Sequence, residues 1–194
     1  KFDEQIEKNN LIWKGPYISL SSEFKDGKTV EELFNEGLLH KESSNIFNGW
    51  KLRYHQELAF HYISSFTNTV VATGTGSGKT EAFLIPIIDY CLKHRGVTGT
   101  KALLMYPMNA LANDQLDRIK KLLKGSGVTF GIYTGTTPKD GGHNQGIEEF
   151  IVSRKDIQKN RPDILLTNYS MLELLLTRRA DKVLFADKQL KFLV

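Results

Sequence analysis

A β-branched run, Thr69-Val70-Val71-Ala72, leads directly into Thr73-Gly74-Thr75-Gly76-Ser77-Gly78-Lys79-Thr80. The run predicts a strand, and the glycines predict a turn whose successive backbone N–H groups converge on one anion. The helix expected to open near Lys79 adds its dipole, the Lys79 charge reaches the outer phosphates, and the Thr80 hydroxyl suits Mg²⁺. Thr73 stands where the pattern G-x-x-x-x-G-K-[ST] places its first glycine. A glycine turn that only reversed the chain would have no use for Lys79. A strand feeding a phosphate-binding loop therefore constrains the chain to an α/β architecture.

Helix and strand signals alternate from Lys51 onward. A helix is expected over Tyr54 to Ser64, then the strand at Thr69 to Ala72, then the loop helix from Lys79 to about His94. Ala102-Leu103-Leu104-Met105-Tyr106 is almost wholly apolar, as in a strand buried on both faces. Asn109 is placed to cap a helix carrying Ala112, Leu116, Ile119 and Leu123 at helical spacing, with Gly125 ending it. Val128 to Tyr133 reads as a third strand, Thr134 to Gly146 as a flexible loop, and Ile147 to Lys159 as an amphipathic helix. Asp163 to Thr167 reads as a fourth strand, residues 170–178 as a helix, and Lys191 to Val194 as the start of a fifth strand. Strands separated by helices imply a mostly parallel sheet covered on both faces, with ligands beyond the carboxyl ends of the strands. Upstream, Trp13 to Leu20 is extended and broken by Gly15-Pro16, and Thr29-Val30-Glu31-Glu32 has the form of a capping box.

The chain has 194 residues, 40% hydrophobic and 25% charged, which fits one compact domain. Residues 1–48 carry 6 Lys/Arg and 9 Asp/Glu, whereas residues 49–194 carry 20 and 13. The basic balance lies with the phosphate-binding loop and suits a polyanion, although a solvated basic face is nearly as common. The single Cys91 excludes an internal disulfide and any multi-cysteine metal site, and the histidines lack ligand spacing. A reducing cytoplasm is the natural setting, and a monomer is expected. No apolar stretch approaches the roughly 18 residues of a membrane span, and the Lys1 start has no signal-peptide character. Without an initiating methionine, the chain is expected to be part of something longer.

Arg53-Tyr54-His55-Gln56 lies upstream, with Gln56 placed 23 residues before Lys79. A carboxamide both donates and accepts, as an adenine edge requires, and Arg53 or Tyr54 would stack on the base; a surface glutamine on an amphipathic helix is the plainer alternative.

With these residues together, the chain resembles the first RecA-like motor domain of a superfamily 2 helicase of the DEAD/DEAH type. Arg53 to Gln56 is similar to the Q motif, Ala72 to Thr80 to motif I, and Glu81 to Pro86 to its continuation. Tyr106 to Gln115, with Pro107, Leu111 and Gln115 in place, resembles motif Ia. Tyr133-Thr134-Gly135 resembles motif Ib, and Thr167-Asn168-Tyr169-Ser170-Met171-Leu172 the Thr-Asn-x-x-Met-Leu element. Gly15-Pro16-Tyr17 looks like the leader of large bacterial helicases related to Lhr.

The resemblance implies a RecA-like domain over residues 49–194, preceded by an accessory leader over 1–48. It implies ATP and Mg²⁺ held by Arg53, Gln56, Thr73 to Thr80 and Glu81, with Lys79 and Thr80 catalytic and Thr80 on the metal. It also implies a single-stranded nucleic acid, DNA or RNA, gripped at Pro107, Asn109, Gln115, Thr134, Gly135, Thr167 and Asn168. A second RecA-like domain would supply the arginine finger. The family's motif II, a strand followed by Asp-Glu, does not occur after the phosphate-binding loop. Val183 to Asp187 is the nearest imitation, but Lys188 follows where the glutamate should be. Phe192-Leu193-Val194 is the expected start of the motif II strand, with its acids beyond Val194, so the isolated chain is expected not to hydrolyse ATP.

Overall fold

The computed structural model describes residues 24–194. Trp13 to Leu20, with Gly15-Pro16-Tyr17, lies outside the described residues. Strand β1 (Asp26–Thr29), helices α1 (Val30–Asn35) and α2 (Lys41–Ile46) and strand β2 (Lys51–Arg53) come first. The Thr29 hydroxyl accepts from the Glu32 N–H at 3.1 Å while the Glu32 carboxylate accepts from the Thr29 N–H at 2.7 Å, the reciprocal cap expected of Thr-Val-Glu-Glu. Strand β2 pairs antiparallel with β1 and runs without a break into α3 (Tyr54–Ser64).

The central body follows. It comprises α4 (Lys79–Lys93), β3 (Ala102–Tyr106), α5 (Asn109–Leu123), β4 (Phe130–Tyr133), β5 (Phe150–Ile151), α6 (Arg154–Asn160), β6 (Ile164–Asn168), α7 (Tyr169–Thr177) and β7 (Phe192–Leu193). A 3-10 turn, Asp181–Phe185, precedes β7. The strands form one parallel sheet in the order β5-β4-β6-β3-β7. Alternating residues serve opposite faces. Leu104, Ile164 and Leu166 pack with Ile85, Ile88, Leu116 and Ile119 of α4 and α5, whereas Leu103 and Leu165 pack with Ile157, Met171 and Leu175 of α6 and α7. Register aligns the carboxyl ends: Tyr106 lies opposite Asn168, and Tyr133 opposite Thr167.

The leading segment is welded to this body. Asp89 of α4, 4% exposed, accepts from the His40 N–H at 2.7 Å and the Ser43 hydroxyl at 2.6 Å. Val30, Leu33, Leu39 and Phe47 share one core with Leu84, Ile85 and Ile88.

Three expectations are corrected. Thr69 to Ala72 forms no strand: Val70 is 92% exposed, and the segment borders a cavity of about 340 Å³ whose other walls include Phe83, Ile87 and Phe192 to Val194. Its neighbour β7 has only two residues and pairs with β3, so the segment finds no ladder long enough to hold it. The helix expected over Ile147 to Lys159 is divided. Phe150 pairs with Phe130 and stacks on its ring at 5.5 Å, and the helix starts only after Ser153, whose hydroxyl accepts from the Asp156 N–H. Asn109 does not cap α5; Met108 holds the cap position, and the Asn109 side chain turns elsewhere.

Candidate functional site

The phosphate-binding loop is shaped from within. Gly76 and Gly78 have φ of +70° and +78°, a region that L side chains avoid. The Thr73 and Ser77 hydroxyls meet at 2.6 Å, with Ser77 fully buried, so the threonine in place of glycine closes the loop across its base. Lys79 Nζ donates to the carbonyls of Thr73 at 2.8 Å and Gly74 at 2.7 Å. Gly74, Thr75 and Gly76 form the exposed rim, and Thr80 opens into a cavity of about 330 Å³ lined by Gly76 to Glu81 and Arg118.

The start of α3 is laced onto this loop at three successive carbonyls. Arg53 Nη1 donates to Gly76 at 2.9 Å, His55 Nε2 lies 3.0 Å from the Ser77 carbonyl, and Gln56 Nε2 donates to Gly78 at 2.8 Å. Gln56, only 6% exposed, also accepts from the Arg53 N–H at 2.8 Å. It is therefore not a surface glutamine; one amide proton and one lone pair remain for a ligand. A Cβ on Gly78 would come within 2.3 Å of Gln56 Nε2, so the close approach demands glycine. The Arg53 guanidinium lies over the Phe24 ring at 4.3 Å and Lys25 over the Tyr54 ring at 4.2 Å, so each presumed base-stacking surface already has a partner. Glu81 pairs with Arg118 of α5 rather than facing the loop alone.

The residues fit a nucleoside polyphosphate: a glycine cradle at the amino end of a 15-residue helix, with two cations at the same cavity. Among the described residues no cluster of three or more His, Cys, Asp or Glu is placed to hold a metal. A Thr80 hydroxyl that held Mg²⁺ would share it with phosphate oxygens and water, as that ion commonly prefers.

Beyond the carboxyl ends of β3, β4 and β6 lies a second constellation. Asn168 Nδ2 donates to Asn109 Oδ1 at 2.6 Å, and its own Oδ1 caps α7 at Met171, which joins the segments after β3 and β6. Pro107 and Gly135 are exposed there. Thr167 and Thr134 turn inward instead. The Thr167 hydroxyl donates to the Tyr133 carbonyl at 2.8 Å, and Thr134, 2% exposed, has its hydroxyl among those of Thr136 and Thr137. Gln115 lies further along α5, half-buried.

Residues 53–194 match the family described as DEAD/DEAH box helicase. The chain belongs to the DEAD/DEAH box helicase family. This DEAD/DEAH box chain is 33% identical over 177 residues to the Druantia protein DruE of Escherichia coli, covering 76% of the chain and 9% of DruE. It is 31% identical over 191 residues to the uncharacterized ATP-dependent helicase MJ1574 of Methanocaldococcus jannaschii, covering 94% of the chain and 26% of that protein. Among solved structures it resembles the Mycobacterium smegmatis helicase Lhr bound to ssDNA and AMP-PNP, at TM-score 0.59 and 28% identity, covering 76% of the chain and 19% of Lhr. The DEAD/DEAH box chain thus spans about a quarter or less of the length of these relatives.

Sequence reasoning missed three residues of the domain. His55, which lacks ligand spacing in the sequence, lies against the loop backbone. Arg118 reaches the phosphate cavity from another helix, and Arg154 donates to the carbonyls of both Thr134 and Gly135 at 2.9 Å. Only His55 carried a local signal, as the neighbour of Gln56.

Proposed function

We propose that this chain is the ATP-binding half of a motor that moves along single-stranded nucleic acid. Residues 49–194 would serve as the first motor domain and residues 1–48 as its accessory leader. Lys79 holds the outer phosphates, Thr80 the Mg²⁺, and Gln56 the adenine edge, while Asn109, Gly135 and Asn168 contribute to the grip on a phosphate backbone. ATP with Mg²⁺ supplies the hydrolysable phosphoanhydride; the chain's own residues bind and orient it. A second motor domain would complete the ATP site. The observation that carries this reading is the contact of Arg53, His55 and Gln56 with three consecutive loop carbonyls, which ties Gln56 to the glycine cradle.

Calorimetric titration with ATP and GTP tests it. Lys79→Ala is expected to abolish detectable binding of either, because the loop keeps its N–H groups and loses its aimed charge. Gln56→Ala is expected to weaken both by loosening the loop, and ATP the more because the base contact is also lost. Undiminished affinity in Lys79→Ala would overturn the assignment, and equal losses for the two nucleotides would confine Gln56 to shaping the loop.

A further inference from the structure

The proposed function assigns Arg118 no role, yet it borders both cavities at the loop. One, of about 330 Å³, is bounded by Gly76 to Glu81; the other, of about 350 Å³, by Trp50 to Arg53, Gln56, Gly76, Gly78 and Glu81. Its guanidinium is paired with Glu81 Oε1, and the arginine side chain is 37% exposed against 17% for the glutamate. The other carboxylate oxygen, Glu81 Oε2, is buried without a partner and lies 3.1 Å from where a Cβ on Gly78 would stand.

We propose that Arg118 is a further nucleotide-binding residue, a second cation for the polyphosphate beside Lys79, and that Glu81 is the carboxylate that holds it at the cavity in competition with the phosphates. The inference rests on the reading of the loop as an ATP site. Four physical arguments support it. Lys79 spends two of its three ammonium protons on the Thr73 and Gly74 carbonyls, which limits what it alone offers a triphosphate. A carboxylate one residue past Thr80 would repel that triphosphate unless a cation neutralised it, and Arg118 is the cation on it. A guanidinium has five donors in a planar fork matched to phosphate oxygens, so it bonds Glu81 and still presents N–H groups to the cavity. Because Arg118 is more than a third exposed, its turn from one anion toward another costs little.

The pair is separable by sign. The 194-residue chain would be titrated with a fluorescent ATP analogue in Mg²⁺ at fixed salt, as wild type, Arg118→Gln, Arg118→Lys and Glu81→Gln, with thermal unfolding measured on each. Arg118→Gln is expected to weaken binding about tenfold, the scale of a lost charge-assisted contact. Arg118→Lys should keep part of the affinity as a point charge without the fork. Glu81→Gln should bind at least as tightly as wild type, since it deletes a negative charge beside the phosphates. A merely structural ion pair makes the opposite forecast: Arg118→Gln and Glu81→Gln would lose affinity equally and in step with their melting temperatures. That result, or unchanged affinity in Arg118→Gln, would overturn the role of Arg118. A wild-type chain that took up no nucleotide would overturn the ATP-site reading itself, and the inference with it.

Discussion

Thr73 and Gly78 show how single atoms set the loop. The Thr73 hydroxyl bonds Ser77 across the loop's base, so a side chain at a customary glycine position adds closure without filling the cradle. Gly76 and Gly78 share a left-handed backbone but differ in surroundings, which separates two effects usually confounded. A Cβ at Gly76 meets nothing within 4 Å, so Gly76→Ala should cost only the left-handed penalty, about 1–2 kcal/mol. At Gly78 the same Cβ collides with Gln56, so Gly78→Ala should cost more and should also weaken nucleotide binding. Urea unfolding of the two variants checks the order, and equal costs would mean that Gln56 yields freely. Lys79 and Gln56 could be singled out in the sequence because their motifs are local. Arg118 was not, because its place at the cavity depends on how α5 lies beside α4, which no local pattern states.

At the scale of elements, buried polar anchors tie the sheet at both ends. Lys101, 1% exposed, donates to Asp163 and to the Val97 carbonyl at 2.7 Å, and Asp163 accepts from the Thr129 N–H at 2.8 Å and hydroxyl at 2.9 Å. These bonds bind the entries to β3, β4 and β6. Asp163→Asn leaves Lys101 a buried charge without its counter-ion and should cost about 3–5 kcal/mol in denaturant unfolding; a loss below about 1 kcal/mol would show that water reaches the ammonium. At the opposite end the Tyr133 hydroxyl donates to Asp181 at 2.5 Å, and Asp181 also accepts from Gln158 at 2.7 Å, which pins the 3-10 turn to β4 and α6. Burial first, and that bond second, push Tyr133 up to about 12, and burial alone pushes Tyr106 up to about 12. Both folded values exceed the ordinary value near 10, so this contribution to stability is complete below pH 10 and is lost as pH rises from 10 to 12. Tyrosinate absorbance followed with circular dichroism should show these two rings ionising late, together with loss of structure. Early ionisation of all seven tyrosines in a folded chain would refute it. The apolar run of β3 and the helical spacing of α5 were readable because burial on both faces and on one stripe leave distinct patterns. Thr69 to Ala72 was misread because β-branched residues state a preference, whereas a strand also needs a neighbour to pair with.

For the whole molecule, ATP turnover and strand binding are predictions that rest on different parts of the structure. Asp187, the only acid in the run that imitates motif II, is paired with Arg161 at 3.1 Å and packs beside Gly99, engaged away from the loop. The 194-residue chain is therefore expected to show no strand-stimulated ATP hydrolysis above a Lys79→Ala background, and robust turnover would mean that another acid holds the metal. Its hold on a single strand is a separate question, decided beyond β3, β4 and β6. There the aligned register brings Asn109, Gly135 and Asn168 into one region while Thr167 and Thr134 face the interior. The proposed half-clamp would touch few phosphates, and each one neutralised contributes about −0.7 to the log-log salt slope, so a slope on the order of −1 to −3 is expected. Asn168→Ala should lower affinity severalfold, because it removes both the contact to Asn109 and the cap of α7. Thr167→Ala, whose hydroxyl is spent on the Tyr133 carbonyl, should act mainly on stability. Fluorescence anisotropy with a labelled oligonucleotide at several salt concentrations reads both. Equal losses of affinity in two equally stable variants would return Thr167 to the track, and tight, sequence-selective binding would argue against a motor that must step over any sequence.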